Sequence, residues 1–136
     1  MAVTPSISNA ERLARLTLLA GHTLKIALYT QAGATLNKDT TVYTATGEVS
    51  GTGYTAGGAE LAGLSANIIS DVAVLDANDV TWAASTITAD AAMLYDASDS
   101  NKCLRVWTFT STASSNSTFT LTMPGPSASQ GLLRIA

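Results

Sequence analysis

Residues 50–96 read SGTGYTAGGAELAGLSANIISDVAVLDANDVTWAASTITADAAMLYD, and this stretch decides the fold. It opens on a glycine-rich turn holding Gly51, Gly53, Gly57 and Gly58. Glycine reaches positive φ without steric cost, so such a cluster marks a sharp change of direction. Short apolar runs follow, separated by turn residues. In the first, Ala62, Leu64, Ala66 and Ile68 alternate with Gly63, Ser65 and Asn67. A period of two sends successive side chains to opposite sides of an extended chain, which is the mark of a strand. Ser70-Asp71 suits a hairpin turn, Val72, Val74 and Leu75 form a second run, and residues 76–79 (DAND) form a second turn. Residues 80–83 carry Trp82. Residues 86–95 form a longer strand with Ile87, Met93 and Tyr95 on one side.

The same pattern extends outward in both directions. Residues 22–30 (HTLKIALYT) predict a half-buried strand, with Leu24, Ile26 and Leu28 on one face and Lys25, Ala27 and Tyr29 on the other. After a turn at residues 96–101, residues 102–110 (KCLRVWTFT) are rich in aromatic and β-branched residues. A Ser/Thr/Ala/Asn loop at 111–117, a strand at 118–123, a stop at Pro124-Gly125-Pro126 and a closing strand at 131–136 complete the chain. Residues 31–50 have no sustained period and read as a long surface excursion, a length that is usually functional or carries small elements of its own.

At the start, residues 1–6 predict an arm broken by Pro5. Ser8 and Asn9 are N-cap candidates, Glu11 falls in an acidic first turn, and Leu13, Leu16 and Ala20 recur at helical spacing. These predict a helix over residues 9–18 ended by Gly21. Two helical turns followed by a strand at 16–20 fit the same short run. Seven or eight short strands at regular spacing predict an all-β fold: a single β-sandwich domain over residues 1–136, jelly-roll or immunoglobulin-like, with an N-terminal arm and helix over about residues 1–20.

The chain has 136 residues, 46% of them hydrophobic and only 12% charged, against about 25% charged in typical soluble domains. Two readings of that scarcity stand level: a hydroxyl-rich solvent face, or a surface covered in an assembly. The net charge of -3, with scattered basic residues, lacks the footprint of a nucleic-acid binder. The one cysteine, Cys103, allows no intrachain disulfide and no zinc cluster. The apolar run at residues 16–20 is too short to span a membrane, and no secretory signal is legible. The expectation is a protein of the cytosol, or one that leaves the cell inside something larger.

These residues match several known chemistries only in part. Gly51-Thr52-Gly53-Tyr54-Thr55-Ala56 matches a dinucleotide fingerprint, but Gly57-Gly58 stands where the phosphate-binding helix should begin. Asp96, Ser98 and Ser100 have the first spacings of a calcium loop, without its glycine or its closing glutamate. His22 is the sole histidine, so every triad must pass through it; a polar residue at a strand edge is the simpler reading. Trp82, Trp107 and Tyr54 suggest a carbohydrate platform, with core packing the preferred alternative. No catalytic set, cofactor site or metal site is expected.

The order of GTGYTAGG, DANDVTW, STITA and AMLYD resembles a family of small tailed-bacteriophage virion structural proteins, of the capsid decoration or cement kind. The matching segments are Lys25-Ile26-Ala27-Leu28, the turn at 51–58, residues 76–82, 86–89 and 92–96, and FTLTMP at 119–124. They span most of the chain from about residue 24. The leucine-rich helix and residues 105–109 depart from the pattern. The resemblance implies a non-enzymatic protein on the virion surface, made in the host cytoplasm, that binds the major capsid protein or other virion proteins as a homotrimer. A tail, neck or head-fibre component is the alternative, and a carbohydrate-binding module is an alternative of another class. Neither nucleic acid nor membrane is an expected partner. Leu13, Leu16 and Leu19 are the expected contact patch, followed by residues 31–50 with Tyr43, and by Tyr54 and Trp107.

Overall fold

A computed structural model describes residues 6–127 and 129–135; most of the expected arm and the last residue of the closing strand lie outside the described residues. Helix α1 covers Asn9–Ala20. It starts there because Ser8 is extended and its Oγ accepts the Glu11 N–H at 3.2 Å. Gly21 caps the other end, its N–H donating to the Leu18 carbonyl at 3.2 Å. The helix therefore runs two residues past Leu18, and residues 16–20 are helical rather than extended. Glu11 and Arg15 pair along its surface at 2.8 Å, at i,i+4 spacing.

Among the described residues nine strands follow: β1 Leu24–Tyr29, β2 Ala59–Glu60, β3 Ser65–Ile69, β4 Val72–Asp76, β5 Val80–Ser85, β6 Thr88–Asp96, β7 Lys102–Ala113, β8 Ser117–Leu121 and β9 Leu133–Ile135. The chain is thus an all-β, sandwich-like protein with several sheets and one short N-terminal helix. The strand beyond the expected count is β2, a two-residue ladder springing directly from the glycine turn. The chain divides into two compact units.

The first unit comprises the described parts of Met1–Gly21, Ala62–Asn78 and Met123–Ala136. Its sheet runs β3-β4-β9, all antiparallel, and α1 lies against β3 and β4. Ile69 pairs with Val72, so Ser70-Asp71 is a two-residue hairpin loop; both residues have positive φ, 47° and 65°. That is the turn whose twist matches flanking strands. Asn9 Nδ2 reaches Asp71 Oδ1 at 3.2 Å and Arg12 Nη1 reaches the Asp71 carbonyl at 3.1 Å, tying the helix start to the hairpin.

The second unit comprises His22–Leu61 and Asp79–Thr122. It holds a four-stranded antiparallel sheet in the order β2-β1-β6-β7 and a β5-β8 pair. Ile26 pairs with Leu94 and Leu28 with Ala92, so Ala27, Tyr29, Ala91, Met93 and Tyr95 share one face. Strand β1 is not half-buried as its alternation predicts. Leu24, Ile26, Ala27, Leu28 and Tyr29 are all fully buried. The reason lies in residues 31–50, which form no strand but pack Ala34, Leu36 and Tyr43 onto the Tyr29–Tyr95 face. Backbone bonds hold that segment down: Thr30 N–H to the Gly47 carbonyl at 3.1 Å, and Tyr43 N–H to the Asn101 carbonyl at 2.9 Å. The excursion is a cover over the sheet. Strand β7 runs on to Ala113, into the expected loop. In β5-β8, Trp82 pairs with Phe119, ring centroids 6.0 Å apart and edge to face.

Candidate functional site

All four tyrosines of the chain, Tyr29, Tyr43, Tyr54 and Tyr95, lie in the second unit and are linked through or beside the carboxylate of Glu48. Strand alternation places Tyr29 and Tyr95 on the covered face of the sheet; the excursion delivers Tyr43 and Glu48; the glycine turn delivers Tyr54. Tyr43 donates to Glu48 Oε1 at 2.6 Å, and Tyr54 donates to Oε2 at 2.6 Å. The Gly57 N–H donates to the same Oε2 at 2.9 Å. Tyr54 also accepts the Leu28 N–H at 3.0 Å, Tyr29 donates to the Thr44 carbonyl at 2.6 Å, and Tyr95 donates to the Gly57 carbonyl. Tyr43 and Tyr95 stack obliquely, centroids 4.9 Å apart.

Burial is the first cause that pushes all four hydroxyls above their ordinary value of 10.0, and the charge of Glu48 adds to it. They stay protonated and donate. A carboxylate gripped by two hydroxyls and a backbone N–H gains charge-assisted bonds, and those bonds pin excursion, turn and sheet together. This cluster fastens three segments.

The glycine turn departs from the dinucleotide pattern in the structure as well. It runs into strand β2 rather than a helix. Gly53, Gly57 and Gly58 have φ of 82°, 96° and 80°. A side chain at Gly58 would strike the Ile26 carbonyl, so only glycine lets the turn rest on β1.

A second polar pair joins the ends of β1 and β6. His22 Nδ1 lies 2.6 Å from Asp96 Oδ2, and that carboxyl side chain is 1% exposed. Its Oδ1 accepts the Ser98 N–H at 2.9 Å, while Ser98 Oγ accepts the Thr23 N–H at 2.8 Å. The calcium-loop reading fails on these bonds, because Asp96 and Ser98 are turned to the protein's own partners. His22 is a pinned partner of a buried carboxylate. Among the described residues, no group of three or more His, Cys, Asp and Glu side chains is arranged to hold a metal.

Of the residues singled out from sequence, Tyr43 and Tyr54 meet on Glu48. Trp107 stands elsewhere, half-buried on β7 with the Arg105 guanidinium 5.4 Å from its ring centroid. Trp82 is buried between Tyr54 and Phe119, so the three aromatics form no open platform. Leu16 requires a correction: it is 1% exposed and faces its own chain, since it is the α1 residue directed inward. Leu13 and Leu19 are half-buried. The side of α1 that water meets carries Ala10, Glu11, Ala14, Arg15, Thr17 and Leu18; of these, Ala10, Ala14, Thr17 and Leu18 form a shallow apolar hollow with Leu13 and Gly21. Leu18 is 61% exposed.

Glu48 escaped the sequence reading because residues 31–50 have no period to assign its neighbours. A usable signal existed in the alternation that puts Tyr29 and Tyr95 on a shared side with Ala27 and Met93. No family model, curated protein or solved structure matches the chain.

Proposed function

We propose that this chain is a non-enzymatic structural protein of a tailed-bacteriophage virion, a capsid decoration or cement protein that binds and stabilises the coat lattice. In this reading it is made in the host cytoplasm, is displayed on the capsid surface as a homotrimer, and has the major capsid protein or other virion proteins as partners. The observation that carries the reading is the distribution of polarity. The hydroxyls of Tyr43 and Tyr54 and the carboxylates of Glu48 and Asp96 serve internal fastenings, while the outward side of α1 offers Leu18 and small apolar residues to solvent. Apolar surface of that kind is covered in functional assemblies.

The motif order supports the same reading. The segments that carry the resemblance supply Tyr54, Gly57, Tyr95 and Asp96, the residues that fasten the framework. The test is to add the purified chain to capsids lacking it. Saturable binding at many equivalent lattice positions, with raised capsid melting temperature, supports decoration. Failure to bind overturns it. A tail, neck or head-fibre role is the second reading, and low, symmetry-limited copy number in the particle distinguishes it. Burial of Trp82 weighs against a carbohydrate module, which a glycan array tests directly.

A further inference from the structure

We infer that the outward side of α1 packs antiparallel against α1 of a second copy of this chain, about a two-fold axis at Ala14. A helix at a protein surface normally turns charged residues outward. Here the outward sector holds Ala10, Ala14, Thr17 and Leu18, and its only charges, Glu11 and Arg15, sit along one rim. Ile7, just before the N-cap, and Leu18 are 57% and 61% exposed. Among the described residues only Val42 joins them as an exposed large hydrophobic.

Two features select a second copy as the occupant. The first is size. Leu18 and Ala10 lie equally far from Ala14 along the helix. An antiparallel pairing about Ala14 therefore sets Leu18 over Ala10 of the other copy. A parallel pairing would stack Leu18 on Leu18 and leave Ala10 facing Ala10 across a gap, which forfeits contact. The second is charge. With a rise of about 1.5 Å per residue, the antiparallel pairing brings Arg15 within roughly 3 Å, measured along the axis, of Glu11 on the other copy. Parallel pairing would instead set this charged rim against the uncharged rim of the other copy and lose the Arg15–Glu11 attraction.

Three helical turns bury less than the roughly 1,600 Å² of a standard stable interface. The contact is therefore weak between free copies and becomes effective where copies are held close together, as local concentration rises. On a lattice it would join neighbouring oligomers, a task separate from building any one of them. The inference does not require the proposed role, because it concerns the purified chain alone.

The test is disulfide trapping in full-length protein carrying Cys103→Ser. Ala14→Cys lies on the axis, where the two Cα atoms come within disulfide reach. The expected result is a covalent dimer forming roughly ten-fold or more faster than for Asp99→Cys, an exposed control. Adding Leu18→Glu should return Ala14→Cys to the control rate, with near-ultraviolet circular dichroism unchanged. A mixture of Ala10→Cys and Leu18→Cys chains should give the mixed disulfide in excess of either homodimer. Trapping of Ala14→Cys no faster than the control overturns the inference. So does an excess of Ala10–Ala10 homodimer, which means parallel pairing. If Leu18→Glu instead abolishes capsid binding while Ala14→Cys shows only the control rate, the face belongs to another protein and the pairing is wrong.

Discussion

Glu48 is the residue on which the covered side of the sheet depends. Its carboxylate accepts from Tyr43, Tyr54 and the Gly57 N–H. Glu48→Ala strands two hydroxyls and a backbone donor, and should cost about 2–4 kcal/mol, read as a shifted denaturant midpoint. Glu48→Gln keeps the shape but not the charge and should cost about half as much. The tyrosines themselves make stability depend on alkaline pH. Their folded pKa values are raised above the ordinary 10.0, chiefly by burial. The unfolded chain therefore ionises first, so their contribution is complete below about pH 10 and is lost as pH rises beyond it. Tyrosinate absorbance of the native protein should stay suppressed past pH 10 and then appear together with unfolding. In Glu48→Gln the onset should move to lower pH, since the charge that opposes ionisation is gone. Independently, His22→Ala leaves the buried Asp96 carboxylate without its 2.6 Å partner and should destabilise the fold by about 1–3 kcal/mol.

Among the elements, strands were more legible than their surroundings. Alternation located β1, β3, β4 and β6, and the Ser70-Asp71 hairpin followed from turn chemistry at two positions of positive φ. What alternation does not report is how many faces are covered. Lys25, Ala27 and Tyr29 read as the wet side of β1 because one lysine stands among them, yet an aperiodic segment from elsewhere lies over that side. For the same reason the helix was legible but not its outward face. Leu13, Leu16 and Leu19 share a hydrophobic look, and only packing on β3 and β4 shows that Leu16 is spent internally. The glycine turn carries its own test. Gly58→Ala should cost roughly 2–5 kcal/mol, from positive φ and collision with the Ile26 carbonyl. Gly125→Ala, where an added Cβ meets open space, should stay within about 0.5 kcal/mol of the parent. Equal costs at the two glycines would mean that the turn does not rest on β1.

Taken whole, the molecule ties Glu48 and Asp96 into internal fastenings, keeps most of its few other charges at the surface, and presents an apolar face on α1. The sequence raises two readings of its 12% charge, a hydroxylic surface or a surface covered in an assembly. Composition cannot separate them, because it counts residues without saying which side of an element they occupy. The most direct measurement is a cryo-EM reconstruction of the source particle. The account expects this chain at repeated positions over the coat lattice, seated on capsid subunits. A shell in which those positions are bare, with the chain missing from the particle, would contradict it.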